Sequence, residues 1–172
     1  MLFPLFMELS GRRCLVVGGG KVANRKAAAL RNCGAVVTQV APEVCGRGFE
    51  DGDIEGMTLV VTATDDPALN RHVADLCRRR GIPVNVVDDP ANCTFVFPAV
   101  FRKGPITAAI SSGGACPVAA KLVRDKVARQ VPDDFVAAVE RLGGEREELK
   151  RRFPDPRRRR AHCEEVLAKW SD

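Results

Sequence analysis

Residues 14–34 read CLVVGGGKVANRKAAALRNCG: an apolar run, three glycines, then an alanine-rich stretch closed by Gly34. Apolar residues bounded by glycines make 12–17 a short buried strand. Residues 22–33 form a helix, and Gly34 stands just past its end, where the backbone turns left-handed. Gly18, Gly20 and Ala23 between them satisfy G-x-G-x-x-A. Gly18 permits the tight turn, Gly20 lets a pyrophosphate approach the backbone, and Ala23 lets the helix pack closely on the strand. Free amide groups at the helix start attract phosphates. A glycine motif alone is weak; one that ends a strand and opens a helix points to a dinucleotide site.

Working outward, residues 35–40 make a second strand, followed by Pro42, and 58–63 a third. Residues 67–80 form a helix opened by the Asp66-Pro67 cap and closed by Gly81. The next strand covers 83–87. Alternating strand and helix at this spacing gives parallel βαβ units with helices on both faces. Only 17 residues, 41–57, separate the second strand from the third, too few for a full helix and an outer strand. A cut-down crossover without that strand is expected. After residue 90 the pattern changes to two strands, 94–101 and 106–110, joined by Arg102-Lys103-Gly104-Pro105 with turn chemistry. A helix over 117–131 follows, with apolar residues at 118, 122, 123, 127 and 131. Helical stretches at 133–142 and 155–170 complete the chain. The fold class is therefore α/β: a Rossmann-type parallel sheet with a shortened edge, a small α+β region, and a C-terminal helical region. The expected divisions are 1–102, 103–132 and 133–172. The second region has little mass for its own core, so pairing with a second copy would bury its stripe.

Composition narrows the function. Seven cysteines at 14, 33, 45, 77, 93, 116 and 163 are odd in number and form no C-x-x-C, which disfavours a zinc site or a disulfide framework and fits a reducing cytosol. With two histidines in separate segments, a histidine metal cage is not available. No apolar run is long enough to span a membrane, and MLFPLFMELSGRR reads as a folded segment rather than a signal peptide. The net charge is +5. From residue 133 onward 10 basic residues balance 10 acidic ones, so Arg157 to Arg160 do not make a phosphate-tracking tail. The excess, 17 basic against 12 acidic, lies in 1–132 and suits a small anionic substrate, or a plain solubility balance.

Chemistry-bearing residues gather at the strand ends. Glu43 lies at the distance expected of a ribose-binding acid, and with no arginine at that strand tip it favours NAD over NADP. Thr64 and Asp65 end the 58–63 strand where they could contact cofactor, while Asp66 caps the next helix. Asp88 and Asp89 end the following strand. One of them could act as general base beside a nicotinamide or as a ligand for a hard or borderline metal; both could equally cap a turn before Pro90.

Taken together, GGGKVANRK, VTATDDPALNR, VNVVDDPANCTFVFPAV and AAISSGGACPVAAKLVRDKV, in that order, resemble the precorrin-2 dehydrogenase family, which includes the amino-terminal module of siroheme synthase and stand-alone dehydrogenase/ferrochelatases. The resemblance spans roughly residues 3–170. It implies a Rossmann domain, a dimerisation region, a homodimer in the cytoplasm, and NAD-dependent oxidation of precorrin-2 to sirohydrochlorin, followed in some members by insertion of ferrous iron. By matching position it implies cofactor contacts at Lys21, Val22, Pro42 and Glu43, the catalytic aspartate at Asp88, which would also meet the metal in a chelatase, and Ser112 near the tetrapyrrole. Arg102, Lys103 and Lys121 are candidates, on position, for the substrate's carboxylates. Two departures stand out: the short 41–58 region, and Asp89, where relatives carry a small residue. A non-enzymatic NAD or tetrapyrrole sensor on the same fold is the alternative.

Overall fold

Strand β1 (Arg13–Val17) holds the most deeply buried run of the first unit, with Cys14, Leu15, Val16 and Val17 at 1% exposure or less. A computed structural model describes residues 2–170. In it β1 pairs in parallel with β2 (Val36–Val40) on one side and β3 (Leu59–Thr62) on the other, and β4 (Val84–Val86) extends the sheet in the order β2-β1-β3-β4. This is the nucleotide-binding strand order without the outermost strand beside β2. Edge strand β2 has Val36 and Thr38 exposed, whereas β3 and β4 are buried throughout.

Each crossover covers one face. Helix α1 (Lys21–Arg31) returns the chain from β1 to β2 with Ala23, Ala27 and Leu30 buried. Helix α3 (Pro67–Arg79) joins β3 to β4, and right-handed crossovers running in opposite directions put α1 and α3 on opposite faces. On the α3 face Leu15, Val17, Val60, Val84 and Val86 meet Val73, Ala74, Leu76 and Cys77 in one apolar cluster. Burial there pushes the Cys77 thiol up to about 11. Asp66 caps α3 as expected, its Oδ1 accepting from the amides of Ala68 at 2.8 Å and Leu69 at 3.1 Å.

The short 41–58 crossover contains α2 (Pro42–Cys45) and a single 3₁₀ turn, Asp51–Ile54, with no strand. Ile54, fully buried, and Met57 fill the space against α3 that a longer helix would occupy. The turn is held by a reciprocal cap between Glu50 and Asp53 and by Arg47, whose guanidinium reaches Asp53 at 2.6 Å. That hydrogen bond holds the Asp53 carboxyl below the ordinary aspartate value.

The chain divides at Val96 and Phe97 into two compact units. In the second, β5 (Ala99–Lys103) and β6 (Ile106–Ile110) form an antiparallel hairpin. Arg102 and Lys103 therefore belong to β5, not to the connecting turn the sequence suggested. The turn is only Gly104-Pro105, because Gly104 takes a φ of +53° that a two-residue hairpin needs. A Cβ on Gly104 would also lie 2.5 Å from Val136 Cγ1. Helix α4 (Pro117–Gln130) packs on this hairpin, and α5 (Asp133–Gly144), α6 (Arg146–Arg152) and α7 (Pro156–Leu167) follow. Helix α6 was not expected, and α5 runs past the expected end at 142 to include Gly143 and Gly144 as its last two residues. Three residues of the predicted stripe, Val118, Leu122 and Val123, are exposed, while Val127 and Val131 are half-buried. Among the described residues no helix is long and apolar enough to cross a membrane.

Candidate functional site

The parallel ladder of the first unit continues one residue past its strands, and every continuation lies at the same edge. Gly18 donates to the Val40 carbonyl, Ala63 to Val17, and Val87 to Thr62, at 2.8–3.0 Å. The turns bearing Gly18 to Val22, Pro42-Glu43, Thr64-Asp65 and Asp88 thus leave the carboxyl edge side by side. Open parallel sheets bind ligands at such an edge, where the strand order reverses.

The glycine turn has the form a nucleotide phosphate requires. Gly18 has φ +122°, and a Cβ there would lie 2.9 Å from the backbone carbon of Ala63 and overlap its oxygen. Gly20 stands in extended backbone at the N-cap of α1 with no side-chain cap, and a Cβ built on it meets nothing within 4 Å. The first-turn amides of α1, around Lys21 and Val22, therefore open onto free space with no acidic residue nearby in that turn. Glu43, in the first turn of α2, lies over Gly19, with its Cδ 2.5 Å from where a Cβ on that glycine would be. These residues fit a dinucleotide: amides for its pyrophosphate, and a carboxylate one step along the edge for a ribose hydroxyl.

Two polar residues that the sequence did not single out hold this turn. Gln39 Nε2 donates to the Gly18 carbonyl at 2.9 Å and to Asn24 Oδ1 at 2.8 Å, and Asn24 Nδ2 donates to the Gly19 carbonyl at 3.1 Å. The only hint was an amide on a largely apolar strand. At the next turn, Asn70 accepts from the hydroxyls of Thr62 and Thr64, and its Nδ2 donates to the Thr64 carbonyl at 2.9 Å. Thr64 is thereby turned toward the fold, whereas Asp65 is exposed.

The two aspartates separate. Asp89 Oδ2 accepts from Asn92 Nδ2 at 2.6 Å, so it belongs to the turn before β5. Asp88 is exposed, makes no hydrogen bond among the described residues, and has φ +59°. It is the one non-glycine residue with positive φ among those described. Aspartate tolerates this region better than most residues but at some cost, and such strain gathers at functional sites. Lys26, half-buried on α1, is close enough for Cys93 and Asp88 to support its charge; burial, the larger effect, lowers its pKa. A lysine inside an alanine-rich helix face gave no signal in the sequence. Among the described residues no group of three or more His, Cys, Asp or Glu side chains is placed to hold a metal ion.

In the second unit, Lys103 Nζ donates to the Val131 carbonyl at 2.8 Å and pairs with Asp133 at 2.6 Å. Its ammonium is engaged in fastening β5 to the start of α5. Ser112 Oγ accepts from the Cys116 amide at 3.0 Å and shapes the loop before α4, where Gly113 and Gly114 have φ of +65° and +91°. Arg102 and Lys121 are exposed.

Comparison with known proteins places the first unit in a family. Residues 5–99 match the model of a family described as putative NAD(P)-binding. A siroheme synthase of Thioalkalivibrio sulfidiphilus is 43% identical over 96% of this chain and 37% of its own length. One of Pseudomonas entomophila is 42% identical over 95% of this chain and 39% of its own. The chain thus spans under two-fifths of the length of these relatives. The solved structure of SirC, a precorrin-2 dehydrogenase, superposes with a TM-score of 0.75 at 25% identity, covering 96% of this chain and 89% of that one. A glycine turn of this geometry and a family match over more than half the sequence lead to one conclusion: the chain belongs to the putative NAD(P)-binding family.

Proposed function

We propose that the protein oxidises precorrin-2 to sirohydrochlorin, with NAD as the acceptor. The observation that carries the reading is the alignment of the glycine turn, Glu43 and Asp88 along one sheet edge. Siroheme synthase and precorrin-2 dehydrogenase, the names of its relatives, supply the substrate.

Gly18, Gly20 and the amides at Lys21 and Val22 would hold the pyrophosphate, and Pro42 and Glu43 would bind the adenosine ribose. A carboxylate favours a ribose with free hydroxyls and repels a 2′-phosphate, hence NAD over NADP. The nicotinamide, when bound, supplies a hydride acceptor. Each two-electron oxidation also releases a proton, and Asp88, exposed at the same edge, takes it as general base. Asp65 would line the cofactor side of this arrangement, and Thr64 joins it only by releasing Asn70. In the second unit Ser112, Arg102 and Lys121 are proposed to meet the tetrapyrrole carboxylates; Lys103 joins them only by leaving Asp133. Ferrous iron would be a substrate of a second reaction, insertion into sirohydrochlorin, with Asp88 as its ligand. The exposed Val118, Leu122 and Val123 support a homodimer built through α4, and the free cysteines suit a reducing cytoplasm.

Anaerobic incubation with precorrin-2 and NAD tests the reading. It predicts NADH together with sirohydrochlorin; added ferrous iron then reads chelation as a separate spectral change. NAD binding without NADH formation would instead identify a sensor.

A further inference from the structure

Asp88 keeps a left-handed backbone within a turn on which one sulfur atom makes several contacts. Cys93 Sγ accepts from the Val86 amide at 3.2 Å and from Asn85 Nδ2 at 3.4 Å. Its thiol proton faces two carbonyls, Val86 at 3.2 Å and Asp89 at 3.4 Å. The sulfur thus joins the last residue of β4 to the residue after Asp88, and the intervening chain must close a tight loop. Beside it one backbone bond closes the turn, from the Asp89 amide to the Val86 carbonyl at 3.4 Å, and the other bonds brace the far side of that loop. The Cys93 amide donates to Pro90 at 3.2 Å, Asn92 Nδ2 to Asp89 Oδ2 at 2.6 Å, and Arg78 to Asn92 Oδ1 at 2.6 Å. None of these reaches Asp88 itself, which is fixed only by its two ends. A residue held this way relaxes toward ordinary φ once an end is released.

We propose that Cys93 is a positioning residue: its thiol clamps the turn from Val86 to Asp89 and so aims the Asp88 carboxylate along the cofactor edge. The proposal rests on the reading of Asp88 as the base. It gives a half-buried cysteine, distant in sequence from any partner thiol, a role in the reaction without contact to substrate. It also separates Cys93 from Cys14 and Cys77, which are wholly buried and pack as small apolar groups.

Two measurements on the whole protein decide it. The first needs no turnover: a thermal cycle with Asp88→Gly and Cys93→Val, alone and together. Glycine adopts positive φ without strain, so Asp88→Gly raises Tm by about 2–4 °C while the clamp holds. In the Cys93→Val background, which keeps bulk but removes donor and acceptor, the gain disappears. Equal gains in both backgrounds overturn the clamp. The second is steady-state kinetics. Cys93→Val lowers kcat at least about tenfold with NAD affinity unchanged, because a displaced base loses its alignment. Cys93→Ser, which keeps a donor and an acceptor there, recovers part of that loss. Unchanged kcat in Cys93→Val refutes the positioning role. If wild-type protein itself makes no NADH from precorrin-2, the proposed function fails, while the thermal cycle still decides the clamp.

Discussion

Glu43 and Gly19, 24 residues apart in sequence, are in direct register at the sheet edge: a Cβ on Gly19 would lie 2.5 Å from Glu43 Cδ and 2.6 Å from its Cγ. The conflict is with a flexible side chain, so Gly19→Ala should fold and displace Glu43 rather than the backbone. NAD affinity should fall about tenfold in Gly19→Ala and in Glu43→Ala alike, the size of one hydrogen bond to a charged group. Because both changes remove the same contact, the double variant should bind no more weakly than the poorer single one. Calorimetric titration of the three proteins checks this, and additive losses would show two separate contacts.

Gly18 is a different case. Its Cβ would strike the backbone of Ala63 and its φ is +122°, so neither neighbour nor torsion can yield cheaply. Gly18→Ala should cost about 2–4 kcal/mol and lower Tm by 5 °C or more, roughly as strained backbone and overlap together predict. Calorimetric unfolding measures it directly.

Gln39 is the strut of the glycine turn. Gln39→Ala removes two hydrogen bonds, to the Gly18 carbonyl and to Asn24, at a cost of about 1–2 kcal/mol. NAD affinity should fall with it, since the turn loses its fixed shape. Gln39→Glu should do worse for affinity than for stability, because it sets a negative charge beneath the phosphate site. Unchanged NAD binding in both would remove Gln39 from the account.

The Arg47–Asp53 bridge predicts a pH effect in the short crossover. Asp53 is held below the ordinary aspartate value of 3.8, so the folded state binds its proton less readily than the unfolded chain. Its contribution is full above about pH 4 and is lost as pH falls through the lowered folded value. Asp53→Asn, which also weakens the reciprocal cap with Glu50, should lower Tm by about 2–4 °C at pH 7. The gap to wild type should close below pH 3.8. Thermal melts across pH 2.5–7 read this, and a constant gap would place the stabilisation elsewhere.

The parts of the fold that were legible in the sequence are those in which a local pattern and the tertiary structure agree. The 14–34 stretch, the Asp66 cap and the missing outer strand followed from glycine placement, capping chemistry and chain length. The hairpin ends and helix α6 did not. Gly143-Gly144 form the last two residues of α5, so the helix runs two residues further than its apolar pattern, and charged residues 146–152 give no apolar rhythm. At the site, spacing located the glycine turn and the acidic strand ends. It could not tell Asp88 from Asp89, because the distinction depends on Asn92 and Cys93 folding back on the turn. Gln39, Asn24, Lys26 and Asn70 were invisible for the same reason: each acts across elements that only the packed sheet brings together.

The most direct test is NADH formation from precorrin-2 without oxygen, compared between wild type and Asp88→Ala, with NAD affinity measured on both. Loss of a general base predicts a fall in kcat of about a hundredfold or more, with the dissociation constant for NAD changed less than about twofold. Wild-type turnover in the variant would mean that no proton passes through Asp88, and the edge-on arrangement of cofactor turn and base would have to be abandoned.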